Sequence, residues 1–246
     1  MEDILTKNGV GNKLATNWKE VILAHYDKCL KDENVLGLIL RGSVAHNMSS
    51  RYSDLDLRII VSGDKDEQEQ TVFENAVPVH IIAYSLKYIQ EQIKSNNLLI
   101  IDMMSNDVIL LDKFDELKKL RDSLKNYKIT EKVYFEYLDS AKSSMINAID
   151  LCQRTDYDAA CVNLRDASLK LGFLYLLCNG IFRPKQQWVV QQLNEYAEGT
   201  DFLESFYKAQ ELGTQKKENI ICQVQNVASL ISYFEKEGLY AEKKEL

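Results

Sequence analysis

The segment VLGLILRGSVAHNMSSRYSDLDLRIIV, Val35 to Val61, restricts the fold more than any other stretch of the chain. It opens on an apolar run, Leu36 to Leu40, which is too short for a helix. Gly42-Ser43 ends the run, so it reads as a buried strand. After a polar spacer a second apolar strand begins near Asp54. Side chains alternate along a strand, so Asp54, Asp56 and Arg58 share one face while Leu55 and Leu57 point into a core. Two aspartates side by side repel, and a fold accommodates them most readily with a cation between them. Two carboxylates supplemented by substrate phosphates suit Mg²⁺. Gly42 allows close backbone approach, and turn N–H groups with the Ser43 hydroxyl make an anion site. Arg58 is expected to pair with an aspartate rather than with phosphate. Arg41 and Arg51 are further cations near the turn, and His46 reads as a solvated loop residue.

The whole composition narrows the function classes. With 246 residues, 46% hydrophobic and 27% charged, the chain has the make-up of a soluble globular protein of one or two domains. A formal net charge of −7 argues against affinity gained by covering a nucleic-acid backbone, which needs a basic footprint. The five cysteines are widely spaced, with no CxxC or Cys/His cluster, and most read as small buried hydrophobes in a reducing compartment. MEDILTKNGVGNK lacks the apolar core of a signal peptide, and no run reaches membrane-spanning length, so a cytoplasmic protein is expected.

The remaining pattern predicts the other elements. Lys13 to Lys31 has helical spacing, with His25 on the apolar stripe as a packing histidine. SGDKDEQEQ reads as a loop or helix start, and Ala76 to Tyr84 as a third strand that Pro78 pushes toward a sheet edge or an irregular start. Tyr84–Lys94 and Phe114–Leu124 read as helices flanking a strand at VILLDK. From about Thr130 almost everything has helical periodicity: Lys132–Arg154, then Tyr157–Cys178, apolar enough to be a central bundle helix. Asn179-Gly180 reads as its C-cap. Pro184 is expected in the first turn of a helix running to Ala197. Two more helices follow, on either side of Gly213. The shift in composition puts a boundary at Tyr127-Lys128, giving a nucleotide-site domain over 1–127 and an all-α helical bundle over 128–246.

Gly42-Ser43, a spacer, then Asp54-Leu55-Asp56-Leu57 inside a second strand resembles the signature of the polymerase-β-like nucleotidyltransferases. That resemblance implies an N-terminal α/β domain with a mixed sheet, in which the Gly-Ser turn holds a nucleoside triphosphate and Asp54 and Asp56 hold Mg²⁺. An α/β half followed by a bundle is similar to the bacterial aminoglycoside nucleotidyltransferases of the kanamycin and streptomycin/spectinomycin types. These imply AMP transfer from ATP to a hydroxyl of a small molecule. Asn-Gly-Ile-Phe-Arg-Pro-Lys-Gln-Gln-Trp at 179–188 resembles a stretch of the streptomycin/spectinomycin enzymes, which implies that Lys185 faces nucleotide phosphates.

The match departs at the third acid that relatives carry on a neighbouring strand. Here the stretch is Val77-Pro78-Val79-His80-Ile81, with Pro78 or His80 at that position. Three readings stay open. His80 takes the proton, since a neutral imidazole accepts one near physiological pH. The base comes from elsewhere, with Glu74, Glu131 and Glu136 as candidates. Or catalysis is lost and the chain is a nucleotide-binding regulatory module. A protein acceptor in place of a small molecule is a further alternative.

Overall fold

Leu55 and Leu57 are fully buried and Asp56 between them is half-buried, as strand alternation requires. This segment forms one strand of a mixed sheet in a computed structural model that describes residues 5–6, 14, 16–50, 53–63, 67–211 and 217–237, with residues 236 and 237 described by backbone only. The chain divides into two compact units, Met1–Tyr127 and Lys128–Leu246.

In the first unit the order is α1 (Thr16–Lys31), β1 (Val35–Arg41), the one-turn α2 (Gly42–Ala45), β2 (Leu55–Val61), β3 (Gln68–Glu74) and β4 (Val77–Ser85). Then come α3 (Leu86–Lys94), α4 (Leu98–Asn106), β5 (Val108–Asp112) and α5 (Glu116–Ser123). The five strands lie in the order β3-β4-β2-β1-β5, with β2 and β4 parallel and the other pairs antiparallel. One face carries Leu38, Leu40, Leu55, Leu57, Val79 and Ile81, which pack under Trp18, Val21 and Ile22 of α1. On the other face α5 approaches so closely that a Cβ at Gly37 would meet Leu117 and the Leu111 carbonyl. Gly37, Ile39 and Arg41 alternate onto that same face, with Arg41 reaching Leu99 O and Asp102 of α4.

Two local expectations are corrected here. Residues 64–66 of SGDKDEQEQ lie outside the described residues, and residues 68–70 open a strand that runs to Glu74, not a loop or helix start. They escape notice because β3 is a sheet edge whose side chains are mostly exposed, so no apolar alternation marks it. Accordingly β4 is interior, and Pro78 does not lie at a sheet edge. The missing N–H is tolerated because pairing with β2 starts one residue later, at Val79.

The second unit is helical: α6 (Glu131–Gln153), α7 (Tyr157–Cys178), a 3₁₀ turn (Gln186–Trp188), α8 (Val189–Tyr196), α9 (Asp201–Gln210) and α10 (Lys217–Glu237). The buried residues of α7 keep to one stripe from Ala160 to Gly172 and close round the helix only at Leu174–Leu177. At Gly172 a Cβ would press on Phe206 of α9 at 2.9 Å and Leu193 of α8 at 3.2 Å. Tyr175 stacks on Phe202 at 4.4 Å, and Phe202 meets Phe234 edge-on at 5.8 Å. Gly180, at φ +87°, ends α7, with Ile181 N–H donating to Leu176 O at 2.9 Å and Gly180 N–H to Leu177 O at 3.2 Å. Pro184 precedes the next helix rather than entering its first turn, and that helix begins as the 3₁₀ turn. No helix among the described residues is long and apolar enough to cross a membrane.

Candidate active site

Strand register assembles the polar end of the sheet. Arg41 of β1 stands opposite Asp56 of β2, Asp56 opposite His80 of β4, and His80 opposite Thr71 of β3. Directly opposed residues share a face, so these four form one row across four strands. Asp56 Oδ1 lies 3.1 Å from His80 Nδ1 and 3.4 Å from Arg58 Nη2. Arg58 is buried, and its Nη1 donates to the carbonyls of Leu57 at 2.9 Å and His80 at 3.4 Å. It is a clamp on Asp56, leaving its own buried Nε without a partner.

The turn after β1 is built around Asp56. Gly42 has φ +77°, and a Cβ there would collide with Asp56 Oδ2. The glycine therefore supplies both the left-handed backbone and the room for a carboxylate to lie against it. Ser43 follows, half-buried, in the one-turn helix. Met48 N–H closes the far side on Ser43 O at 2.8 Å, with Asn47 left-handed at φ 56°. Asp54 is exposed and sits just before β2, so only Asp56 of the pair lies within the strand.

Among the described residues no group of three His, Cys, Asp or Glu side chains is placed to hold a metal ion. Asp54 and Asp56 are two carboxylates, so a Mg²⁺ there would need further oxygens, such as those of a bound triphosphate. The described contacts of Asp56 fall on Oδ1, leaving Oδ2, the atom beside Gly42, for such a role.

His80 has a second carboxylate partner, Glu69 of β3, whose Oε1 lies 2.5 Å from Nε2. Each of the two His80 ring nitrogens thus faces a carboxylate oxygen. Glu69 escaped the sequence reading along with its strand. The signal was present: TVFE and VPVH flank Asn75-Ala76, whose φ of 47° and 61° make a two-residue hairpin turn led by asparagine. Glu74 falls on the opposite face of β3, where its Oε2 lies 3.0 Å from Nε2 of buried His25. This takes Glu74 away from the Asp56 row.

Other candidates disperse. Glu131 and Glu136 are exposed in the first turns of α6, Glu136 lying 3.9 Å from Lys132 Nζ. Lys185 belongs to the second unit, where its Nζ sits 4.4 Å from the centroid of the Trp188 ring. Arg51 lies outside the described residues.

Behind the turn stands a cluster that the sequence did not announce. Asp107, between α4 and β5, has a side chain 1% exposed; its Oδ2 lies 2.9 Å from Arg41 Nε and its Oδ1 3.0 Å from His46 Nε2. The Arg41 contact is an ion pair without hydrogen-bond alignment, since Oδ2 has no aligned donor. Arg41 also reaches Asp102 Oδ2 and Leu99 O, each at 3.4 Å. Burial pushes the Asp107 carboxyl above its ordinary range, against the pull of the His46 hydrogen bond and the Arg41 charge. His46 is thus not a solvated loop residue; it is tied to a buried acid because β5 runs antiparallel to β1.

No protein-family model matches the chain, and no curated protein is significantly similar to it. Among solved structures it is similar to a nucleotidyltransferase-like protein from Exiguobacterium sibiricum, with a TM-score of 0.53 and 15% sequence identity over 89% of this chain and 75% of that one. At that identity the likeness speaks for architecture: an α/β unit with a five-stranded mixed sheet and a helical C-terminal unit, the fold of a nucleotidyltransferase-like protein.

Proposed function

We propose that the chain transfers a nucleoside monophosphate, AMP from ATP, to a hydroxyl of a small molecule. The observation that carries this reading is the seating of the Asp56 carboxylate against Gly42, the glycine of a Gly-Ser turn. The nucleotidyltransferase-like fold supports it. In the reaction the acceptor oxygen bonds to the α-phosphorus, the bond from that phosphorus to the bridging α–β oxygen breaks, and pyrophosphate leaves with the electron pair. Gly42 and Ser43 would cradle the triphosphate. Asp54 and Asp56 would hold Mg²⁺, which when bound supplies positive charge against the phosphate oxygens. Arg58 keeps Asp56 oriented. His80 is the group assigned to the acceptor's proton: with Nδ1–H kept on Asp56, Nε2 of the neutral ring would take it once the exposed Glu69 side chain turns away. An acceptor bearing amines, such as an aminoglycoside-like antibiotic, suits the acidic chain.

The test is pyrophosphate release from ATP and Mg²⁺ against a panel of hydroxylated acceptors that includes aminoglycosides and proteins. Asp54→Asn and Asp56→Asn should each abolish release while the far-UV dichroism stays unchanged. Near-normal turnover in either variant removes the metal assignment. ATP binding without release from any acceptor gives the regulatory-module reading, which the absence of an acid at the His80 position favours.

A further inference from the structure

Gly42-Ser43 is flanked by two basic side chains that converge on one buried acid. Arg41 is the last residue of β1, immediately before the turn, and His46 caps the one-turn helix that follows. Asp107 touches both, one carboxylate oxygen to each, at 2.9 and 3.0 Å. Its backbone is held independently. Asp107 N–H donates to Met103 O at 3.2 Å at the end of α4, and its carbonyl accepts from Arg121 Nη2 of α5 at 2.5 Å. Arg121 Nε also donates to Met104 O at 2.7 Å, so α5 locks the end of α4 to the start of β5. Arg41 has a second restraint in Asp102, whose Oδ1 in turn accepts from Asn106 Nδ2 at 2.9 Å. The two ends of the turn are therefore fastened to a frame built from α4, β5 and α5.

We propose that Asp107 is a positioning residue: by holding Arg41 at the entry and His46 at the exit it keeps the Gly42-Ser43 turn in the shape that takes a triphosphate. The second half of this inference rests on the nucleotide reading above. A turn needs this help because Gly42 and Asn47 both have left-handed backbone, and a four-residue helix has little cooperative stability of its own. An acid with its side chain 1% exposed is costly to bury and worth its place only where it organises cations. The carboxylate does not touch the reacting groups, and its effect passes through the turn.

Two variants test it in the full chain. Asp107→Asn keeps the shape and removes the charge. His46→Ala removes only the exit link, at a residue whose side chain is 32% exposed and whose loss the fold should tolerate. Glu74→Gln is the control, because it removes the charge from a comparable His–carboxylate link, His25 to Glu74, on the other face. Native-state hydrogen exchange should accelerate about tenfold or more at the amides of residues 44–48 in both test variants and stay unchanged in the control. Affinity for inorganic tripolyphosphate, measured by calorimetry, should fall about tenfold in the same two variants. His46→Gln, which restores a donor, should recover part of both losses. Unchanged exchange at 44–48, or equal acceleration in the control, overturns the brace. Faster exchange with undiminished tripolyphosphate binding overturns its link to the anion. A wild-type protein that binds neither tripolyphosphate nor ATP sinks the nucleotide reading and that link together, while the exchange data still decide the brace.

Discussion

Replacing Gly42 by alanine should cost the first unit more than any other single methyl at a left-handed glycine. Two effects add. The φ of +77° belongs to the left-handed region, where a residue with a Cβ loses about 1–2 kcal/mol. The new methyl would also run into Asp56 Oδ2, and relieving such overpacking costs about 1–3 kcal/mol. The carboxylate can yield only by turning away from His80 and Arg58, which hold its other oxygen at 3.1 and 3.4 Å. The sum is about 2–5 kcal/mol. Gly63, at φ +95° in the same unit, separates the terms, because a Cβ there meets nothing within 4 Å among the described residues. Gly63→Ala should show the backbone cost alone. The chain has two tryptophans, so Trp188→Phe leaves buried Trp18 of α1 as the reporter of the first unit in urea titrations. In a double-mutant cycle, Asp56→Ala should remove the extra cost of Gly42→Ala, with a coupling of about 1–3 kcal/mol. A Gly42→Ala variant no less stable than Gly63→Ala, or a cycle that is additive, would refute the close approach of Asp56 to the turn.

Other expectations follow from the same geometry. His80→Ala should lower turnover by about 10²–10⁴ with nucleotide affinity little changed, and Glu69→Gln should fall between it and the wild type in steady-state pyrophosphate assays; unaltered turnover in His80→Ala returns the search to Glu131 and Glu136. Burial pushes the Cys178 thiol from 9.0 up to about 12, so in the native protein iodoacetamide should label exposed Cys222 well before Cys178, as peptide mass mapping will show. The sign of the linked stability is also set. Between pH 9.0 and about 12 the folded chain keeps a proton at Cys178 that the unfolded chain has lost, so stability falls as pH rises through that window. Urea midpoints of Cys178→Ala should therefore decline less steeply over the same window.

Much of the architecture was legible because it is written in short periods. Leu55 and Leu57 alternating with Asp56 and Arg58 defines both a strand and its two faces, whatever it pairs with. The 157–178 segment, ending in the apolar LGFLYLLC, reads as a central bundle helix and is buried all round only in that last stretch, and Asn179-Gly180 reads as its end, since left-handed backbone favours glycine. The spacing of Gly42-Ser43 and Asp54-x-Asp56 drew attention to a turn and a strand that the fold does set side by side. What the sequence could not show depends on partners far along the chain. The edge strand β3 carries no apolar alternation, because one of its sides faces water and its hydrogen bonds come from β4; Glu69 stayed hidden with it. His25 and Glu74 are 49 residues apart, and His46 and Asp107 are 61 apart. Only the sheet order decides that Asp107 reaches Arg41 and His46 while Glu74 turns to the opposite face. Local periodicity follows from where each Cβ points, whereas a long-range pair is chosen by register between strands, and register is a property of the packed sheet.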